Sequence, residues 1–470
     1  MDDMDMNEGS PMAQPQAFGH QATPLYDLHT GLPVLESDRK MLDLVFVQDC
    51  TGSQGSYIAS ATKNIEEICE TIFASGKLEH KEDLRVGLIA FRDHPPQDHT
   101  YITRKFDFTS DIRQVHDSLK TLYASGGGDG PEAVTAGLWE ALNMNWRDGA
   151  SKMIVLIADA PPHGIGEYGD GFDEGSPDGH DPLQIARHMA QRGITLFFVA
   201  CEPALSGYAY ATDFYQAITG ITSGLMLPLT TANLLSHAII GSVLENLDMD
   251  RLIREVGQAV AHRILGQNES VDDVARELHE KLLLRNESTK KLVVENIYRE
   301  SDEAKHNVEV FTQAPTLAEA RPLLKKVKGT RFTEKYLQVR YNLARSSYSY
   351  SPYAPAIPPR IPESPPRTSP LSSSPPVSPS RKVVTDFATF GAPASASVFG
   401  TAVASSPFSL AGGKAAFGGI RNSGAKSGFE EDDDDDTASA PQRIEFRDDA
   451  ITFDQARRIT MQSAWRNARV

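Results

Sequence analysis

Three oxygen-bearing side chains stand at alternate positions in Asp49-Cys50-Thr51-Gly52-Ser53. They follow the apolar run LDLVFVQ at 42–48, and Gly52 lets the backbone turn sharply between them. Such a turn points alternate side chains into one small volume. Hard oxygen donors arranged this way suit Mg²⁺ first, with Mn²⁺ or Ca²⁺ as alternatives, whereas Zn²⁺ would want His or thiolate. Two further carboxylates lie at comparable places. Asp159 ends the run MIVLIA, in Ala158-Asp159-Ala160-Pro161-Pro162. Asp129 sits in Gly126-Gly127-Gly128-Asp129-Gly130-Pro131-Glu132, just before a helix that Pro131 can open. Asp129 has two readings here, cation ligand or helix cap. As a ligand it would make the cluster −3 against +2, tightening the cation and weakening its pull on an acidic partner.

Other polar loops are less specific. HGIGEYGDGFDEGSPDGHDP, at 163–182, reads as a solvated surface loop, with a second Ca²⁺ site or a selectivity loop as the sharper alternative. Arg92-Asp93-His94-Pro95-Pro96-Gln97-Asp98 raises a Zn²⁺ site through histidine with acids nearby, but no ligand pair has metal spacing on a regular element, and it reads as a rigid loop. Catalytic signatures are missing: there is no Gly-x-Ser-x-Gly, Walker A or His-Glu-x-x-His motif. GGGDGP lacks the Lys-Ser/Thr of a phosphate loop, and Cys50 has no His or Asn orienter nearby in sequence. The expectation is a protein that is not an enzyme.

The elements that must position these residues follow from periodicity. Apolar β-branched runs predict strands at 42–48, 84–91, 101–109, 151–158, 195–201 and 224–229. Helical spacing predicts helices at 56–75, 111–122, 131–145, 182–192, 211–218 and 230–247. The alternation implies an α/β, doubly wound, mostly parallel six-stranded sheet covered on both faces. The carboxyl ends of its strands would then gather Asp49, Asp129 and Asp159 on one edge, where such sheets bind ligands.

At this point the sequence resembles the von Willebrand factor type A (vWA) family over residues 40–248. The Asp-x-Thr-x-Ser run resembles that family's metal-ion-dependent adhesion site, and Asp159 its distal carboxylate. The GGGDGPE and ADAPPHG runs resemble the branch that includes the A domains of alpha-kinases and kinase-less fungal relatives. The resemblance implies that Thr51 and Ser53 bind the cation directly, that Asp49 and Asp159 hold its waters, and that Asp129 stands where the family has Thr. It also implies a protein partner at the metal face.

The rest of the chain changes character. Of 470 residues, 46 are Lys or Arg and 63 Asp or Glu, a net charge of −17 that disfavours nucleic-acid binding. Three cysteines make no disulfide framework. No apolar run is long enough for a membrane span, and the acidic start is no signal peptide, so a cytoplasmic location is expected, with the nucleus as alternative. Residues 1–39 read as a disordered lead. Residues 249–343 read as a small helical region, with helices at 250–265, 271–285, 288–304 and 316–327. Residues 344–440 read as a disordered Ser/Pro-rich tail with three Phe-Gly pairs and an acidic run. Pro355, Pro358 and Arg360 within it fit P-x-x-P-x-R, the pattern an SH3-type partner takes. Residues 441–470 read as a short amphipathic segment that docks on a partner or on the chain's own folded part. Two function classes remain open. One is a cation-dependent interaction module serving as an intracellular adaptor or scaffold. The other is a regulatory subunit or kinase-less remnant of a vWA-linked signalling enzyme such as an alpha-kinase.

Overall fold

The structure is a computed structural model that describes residues 40–347, 442 and 444–468. The expected lead, nearly all of the tail, and Pro355, Pro358 and Arg360 lie outside the described residues.

Every residue of β1 (Leu42–Asp49) is buried, as befits a central parallel strand with helices on both faces. A short 3₁₀ turn leads into α1 (Gly55–Ala74), followed by β2 (Leu84–Phe91), β3 (Thr103–Thr109), α2 (Ile112–Lys120) and α3 (Val134–Leu142). Next come β4 (Ser151–Ala158), α4 (Pro182–Gln191), β5 (Ile194–Cys201), α5 (Ala211–Ile221), β6 (Met226–Leu229) and α6 (Leu235–Ala261). The six strands form one sheet in the order β3-β2-β1-β4-β5-β6. β3 is antiparallel to β2 and the other pairs are parallel, so the mostly parallel, doubly wound expectation holds. Alternation along β1 serves two cores. Leu42, Leu44 and Phe46 pack with α1, α2 and α6, while Val45 and Val47 pack with α3, α4 and α5.

Strand order reverses between β1 and β4. In their register Gln48 lies opposite Ile157, which puts Asp49, one residue on, and Asp159, two residues on, at the carboxyl ends of neighbouring strands. On the other side Asp49 is level with Phe91, so Asp93 follows β2 at the same edge. The switch point of the sheet thus gathers acids from three adjacent strands.

α6 runs without a break through residue 248, where the composition changes. Beyond it lie α7 (Val271–Leu284), β7 (Ser288–Val294), α8 (Asp302–Gln313), α9 (Leu317–Ala320), α10 (Glu334–Ser347), β8 (Ile444–Ala450) and α11 (Phe453–Asn467). The helix expected over 288–304 does not form. Residues 288–294 are a strand because they pair antiparallel with β8, Leu292 opposite Phe446, a partner no local pattern can show. The helix expected over 316–327 shrinks to α9 plus one 3₁₀ turn at Arg321–Leu323, where Pro322 cannot supply an amide donor.

The amphipathic C-terminal segment docks on the chain's own folded part. Thr452 and Gln455 cap α11 reciprocally. Gln462 Nε2 donates to Thr222 O (2.8 Å), Arg458 Nε to Ser223 O (2.9 Å), and Arg466 Nη1 to Asp250 Oδ1 (2.7 Å). Arg458 Nη1 also meets Glu245 Oε1 at 2.6 Å, both residues buried. Removing one member of a buried pair strands the other's charge, at about 3–5 kcal/mol. Arg458→Ala in the full chain is therefore expected to lower unfolding free energy by roughly that much. Arg457→Ala, which breaks only the exposed pair with Asp272, should cost under about 1 kcal/mol. Denaturant titration of the two variants checks the contrast; equal losses would show that α11 is not held by the buried pair.

Candidate metal centre

The centre is built where β1 stops. Asp49 is fully buried. Its Oδ1 accepts hydrogen bonds from the Thr51 amide (2.8 Å) and the Thr51 hydroxyl (2.7 Å), which winds the chain into a tight turn. Its Oδ2 has no hydrogen-bond partner. Ser53 lies on the exposed part of the following 3₁₀ turn. The glycine loop is stitched to this turn: Gly52 N donates to Gly126 O (3.2 Å) and Ser125 N to Cys50 O (3.0 Å). Asp159, just past β4, is also buried. Cys50 is buried too, and burial pushes its thiol up to about 12, so it is protonated at neutral pH.

A carboxylate with no role assigned from sequence enters beside Asp49. The segment before α3 is laid across two strand ends, Glu132 N donating to Pro161 O (2.9 Å) and Ala133 N to Arg92 O (2.9 Å). This carries the Glu132 side chain into the interior, 5% exposed, with Oε2 unpartnered. Its Oε1 lies beneath Gly127, where a Cβ would stand 2.6 Å from it and 3.4 Å from the Thr51 Cβ. Gly127 also has φ +83°, so both space and backbone demand glycine there. A Glu in the first turn of a helix ordinarily signals only a favourable dipole contact. The available clue was the glycine run itself, which leaves room for a buried side chain.

Asp129 sits elsewhere on the same edge. Its Oδ2 accepts from Gly171 N (2.5 Å) and Gln97 Nε2 (3.3 Å), and its Oδ1 has no partner. The N-cap of α3 is Ala133, so Asp129 does not cap that helix. Burial raises its pKa, and the Gly171 amide opposes the rise. One ligand atom each from Asp93, Asp129 and His163 lies within 4.8 Å of the others. The His163 ring is held between two carboxylates, Nδ1 2.7 Å from Asp170 Oδ1 and Nε2 2.7 Å from Asp93 Oδ1. Burial alone would lower its pKa, but these two hydrogen bonds outweigh it and push it to about 9.

Much of the 163–182 segment is therefore not a solvated loop. His163, Glu167 and Asp170 are buried, and Glu167 accepts the amides of Ala209 (2.8 Å) and Tyr210 (2.6 Å). Asp170 likewise accepts the amides of Gly164 (2.7 Å) and Phe172 (2.9 Å).

The family comparison agrees with the fold. Residues 43–231 match the von Willebrand factor type A domain, and this part of the chain is a vWA domain, a protein-interaction fold. The chain is 33% identical over 161 residues to the alpha-protein kinase vwkA of Dictyostelium discoideum, covering 33% of this chain and 25% of that protein. It is 28% identical over 203 residues to a putative ariadne-like RING finger protein, R811, of Acanthamoeba polyphaga mimivirus, covering 42% and 19%. The chain thus spans a quarter or less of these relatives. Among solved structures, the pilus adhesin SpaC of Lactobacillus rhamnosus GG aligns with TM-score 0.34 at 13% identity, over 45% of this chain and 31% of that one. A von Willebrand factor type A structure from Catenulispora acidiphila aligns with TM-score 0.31 at 13% identity, over 44% and 43%.

Burial and repulsion set how the centre titrates. Burial, then the charge of Asp159, raises Asp49 from 3.8 to about 7; burial, then Asp49, Asp93, Asp129 and Asp159, raises Glu132 from 4.5 to about 10. For a raised acid the folded state favours the protonated form. That stability is full below the ordinary carboxylate range and is lost as pH climbs through about 7 for Asp49 and about 10 for Glu132. A bound cation favours the ionised form instead. Mg²⁺ should therefore raise Tm more at about pH 8 than at about pH 5. Calorimetric scans with Mg²⁺ and with chelator check this, and an equal rise at both pH values would contradict it.

Proposed function

We propose that the chain is a non-enzymatic, divalent-cation-dependent interaction module that acts as an intracellular adaptor or scaffold. One observation carries the reading: Asp49 Oδ2 is buried and unpartnered at the switch point of the sheet, with Asp159 and Glu132 among its charged neighbours. An ionised carboxylate oxygen can only accept, so once Asp49 loses its proton it needs a donor or a cation; no described side chain gives Oδ2 a donor, and the Asp159 backbone amide only partly offsets the burial. Asp49, Thr51, Ser53 and Asp159 would hold the ion, and the all-oxygen set suits Mg²⁺. Bound there, the ion supplies a positive centre toward which a partner's acidic group can turn.

Glu132, whose proton the fold holds up to about pH 10, would give a third negative charge near Asp49 once a bound cation ionises it, in the part that the sequence offered to Asp129. The chemistry argued for Asp129 from sequence passes to it. An ionised Glu132 gives −3 against +2, which tightens the cation and weakens its pull on an acidic partner.

A second reading is favoured by the similarity to vwkA, which spans only 25% of that kinase. Here the chain would be a regulatory subunit or kinase-less remnant of a vWA-linked signalling enzyme. Stable co-purification with a kinase or ligase would support it.

Partner capture by the full chain should be lost in chelator and restored by Mg²⁺. Asp49→Ala should abolish both the calorimetric Mg²⁺ signal and capture; capture that persists in chelator and in Asp49→Ala would overturn the proposal. Glu132→Gln removes one attractive charge, so Mg²⁺ affinity should fall while binding of a model carboxylate such as acetate rises. Unchanged Mg²⁺ affinity would leave Glu132 out of the centre.

A further inference from the structure

Asp93 is fully buried and its Oδ2 has no hydrogen-bond partner. Its carboxylate belongs to a cluster whose other members, Asp129 and His163, arrive on different loops. Asp93 follows β2, Asp129 lies in the glycine loop, and His163 follows β4. Two more buried acceptor oxygens here lack partners, Asp129 Oδ1 and Gln97 Oε1. Gln97 donates its amide to Asp129, which ties that side chain to the cluster. A Cβ at Gly171 would meet Gln97 Nε2 at 2.3 Å and Asp129 Oδ2 at 2.5 Å, so a glycine is what lets these groups close up. Three acceptor oxygens with nothing to accept, beside a ring nitrogen, describe a place for a cation.

We propose that Asp93, Asp129 and His163 hold a second divalent cation, distinct from the one at Asp49, and that it is a transition metal of the Zn²⁺ type. The donor set decides the class. A nitrogen with carboxylate oxygens suits Zn²⁺ or Mn²⁺, while the all-oxygen centre suits Mg²⁺. Asp170 is the positioning residue. It fixes the ring through Nδ1 (2.7 Å), the outer carboxylate that metal-bound histidines generally carry. Nε2 is then the ligating nitrogen. It now faces Asp93 Oδ1 at 2.7 Å, and as the cation enters, the proton held between them leaves to solvent. Tetrahedral Zn²⁺ sets its ligands roughly 3.3 Å apart, so Nε2 and Asp93 Oδ1 must part slightly from 2.7 Å while the third ligand, within 4.8 Å of both, closes in. The ion would fasten the 163–176 segment to the glycine loop beside the first centre.

The test uses the full chain, stripped with chelator, saturated with Mg²⁺ and then titrated with Zn²⁺ in a calorimeter. One Zn²⁺ should bind that Mg²⁺ does not displace. Asp129→Asn, which keeps the size and removes the charge, should remove that site, and His163→Gln should do the same. Asp170→Asn should weaken Zn²⁺ by about 10–100-fold and leave Mg²⁺ affinity unchanged, which a general loss of structure would not. Asp49→Ala should lose Mg²⁺ and keep Zn²⁺, so failure of one site is distinguishable from failure of the other. Zn²⁺ heat identical in wild type, Asp129→Asn and His163→Gln would overturn the proposal. So would the absence of Zn²⁺ binding, which would make His163 an imidazolium paired with Asp93 and Asp170 alone.

Discussion

Carboxylates that cannot reach water must find a counter-charge, and this fold drives several of them to one edge. Asp49, Asp93 and Asp159 end or follow three neighbouring strands, and Glu132, Asp129 and Asp170 join them from loops. Isolated buried carboxylates cost several kcal/mol each even after relaxation. Among the described groups, His163 answers Asp93 and Asp170. Arg92 is largely engaged by Thr100, the Tyr123 carbonyl and the rings of Tyr101 and Tyr123. Among the described residues Asp49, Asp159 and Glu132 have no comparable cation; burial first, and then the neighbouring carboxylates, push the pKa values of Asp49 and Glu132 up.

The described elements around this acidic edge hold its strand ends in place. Two apolar cores, one on each face, fix the strand ends that carry the acids. α6 closes one face and then serves as the floor for the C-terminal segment, whose Arg458 and Arg466 reach Glu245 and Asp250 on it. β8 completes a two-stranded sheet with β7 that packs on the same helix, Phe446 lying so close to Gly241 that a side chain there would collide with it. The end of the chain is thus part of the scaffold that holds the A domain, although nearly a hundred residues separate it from α10 in sequence.

Much of the sheet was legible because buried parallel strands leave continuous β-branched runs such as MIVLIA and TLFFVAC. The Asp-x-Thr-x-Ser turn was legible for a similar reason, since its spacing is local. What escaped is non-local. Ser288–Val294 becomes a strand only because Ile444–Ala450 pairs with it. Glu132 looked like a helix-start acid, and its burial depends on hydrogen bonds to Pro161 and a neighbouring bond to Arg92, each on another strand end. Asp129 follows the same rule in reverse: its sequence neighbourhood suggested the first centre or a helix cap, and its contacts are with Gly171 and Gln97. The His163 cluster required three loops to be folded before its members met.

The central claim is that the buried acids at the β1–β4 switch point exist to hold a cation. The most direct measurement is an anomalous-scattering map from crystals of the full chain grown with Mn²⁺. The account predicts a peak bonded to the Asp49-x-Thr51-x-Ser53 turn and facing Asp159, with Glu132 closer to it than Asp129. A map with no peak at that turn, in crystals where Asp49 and Glu132 are seen in the positions described, would contradict it.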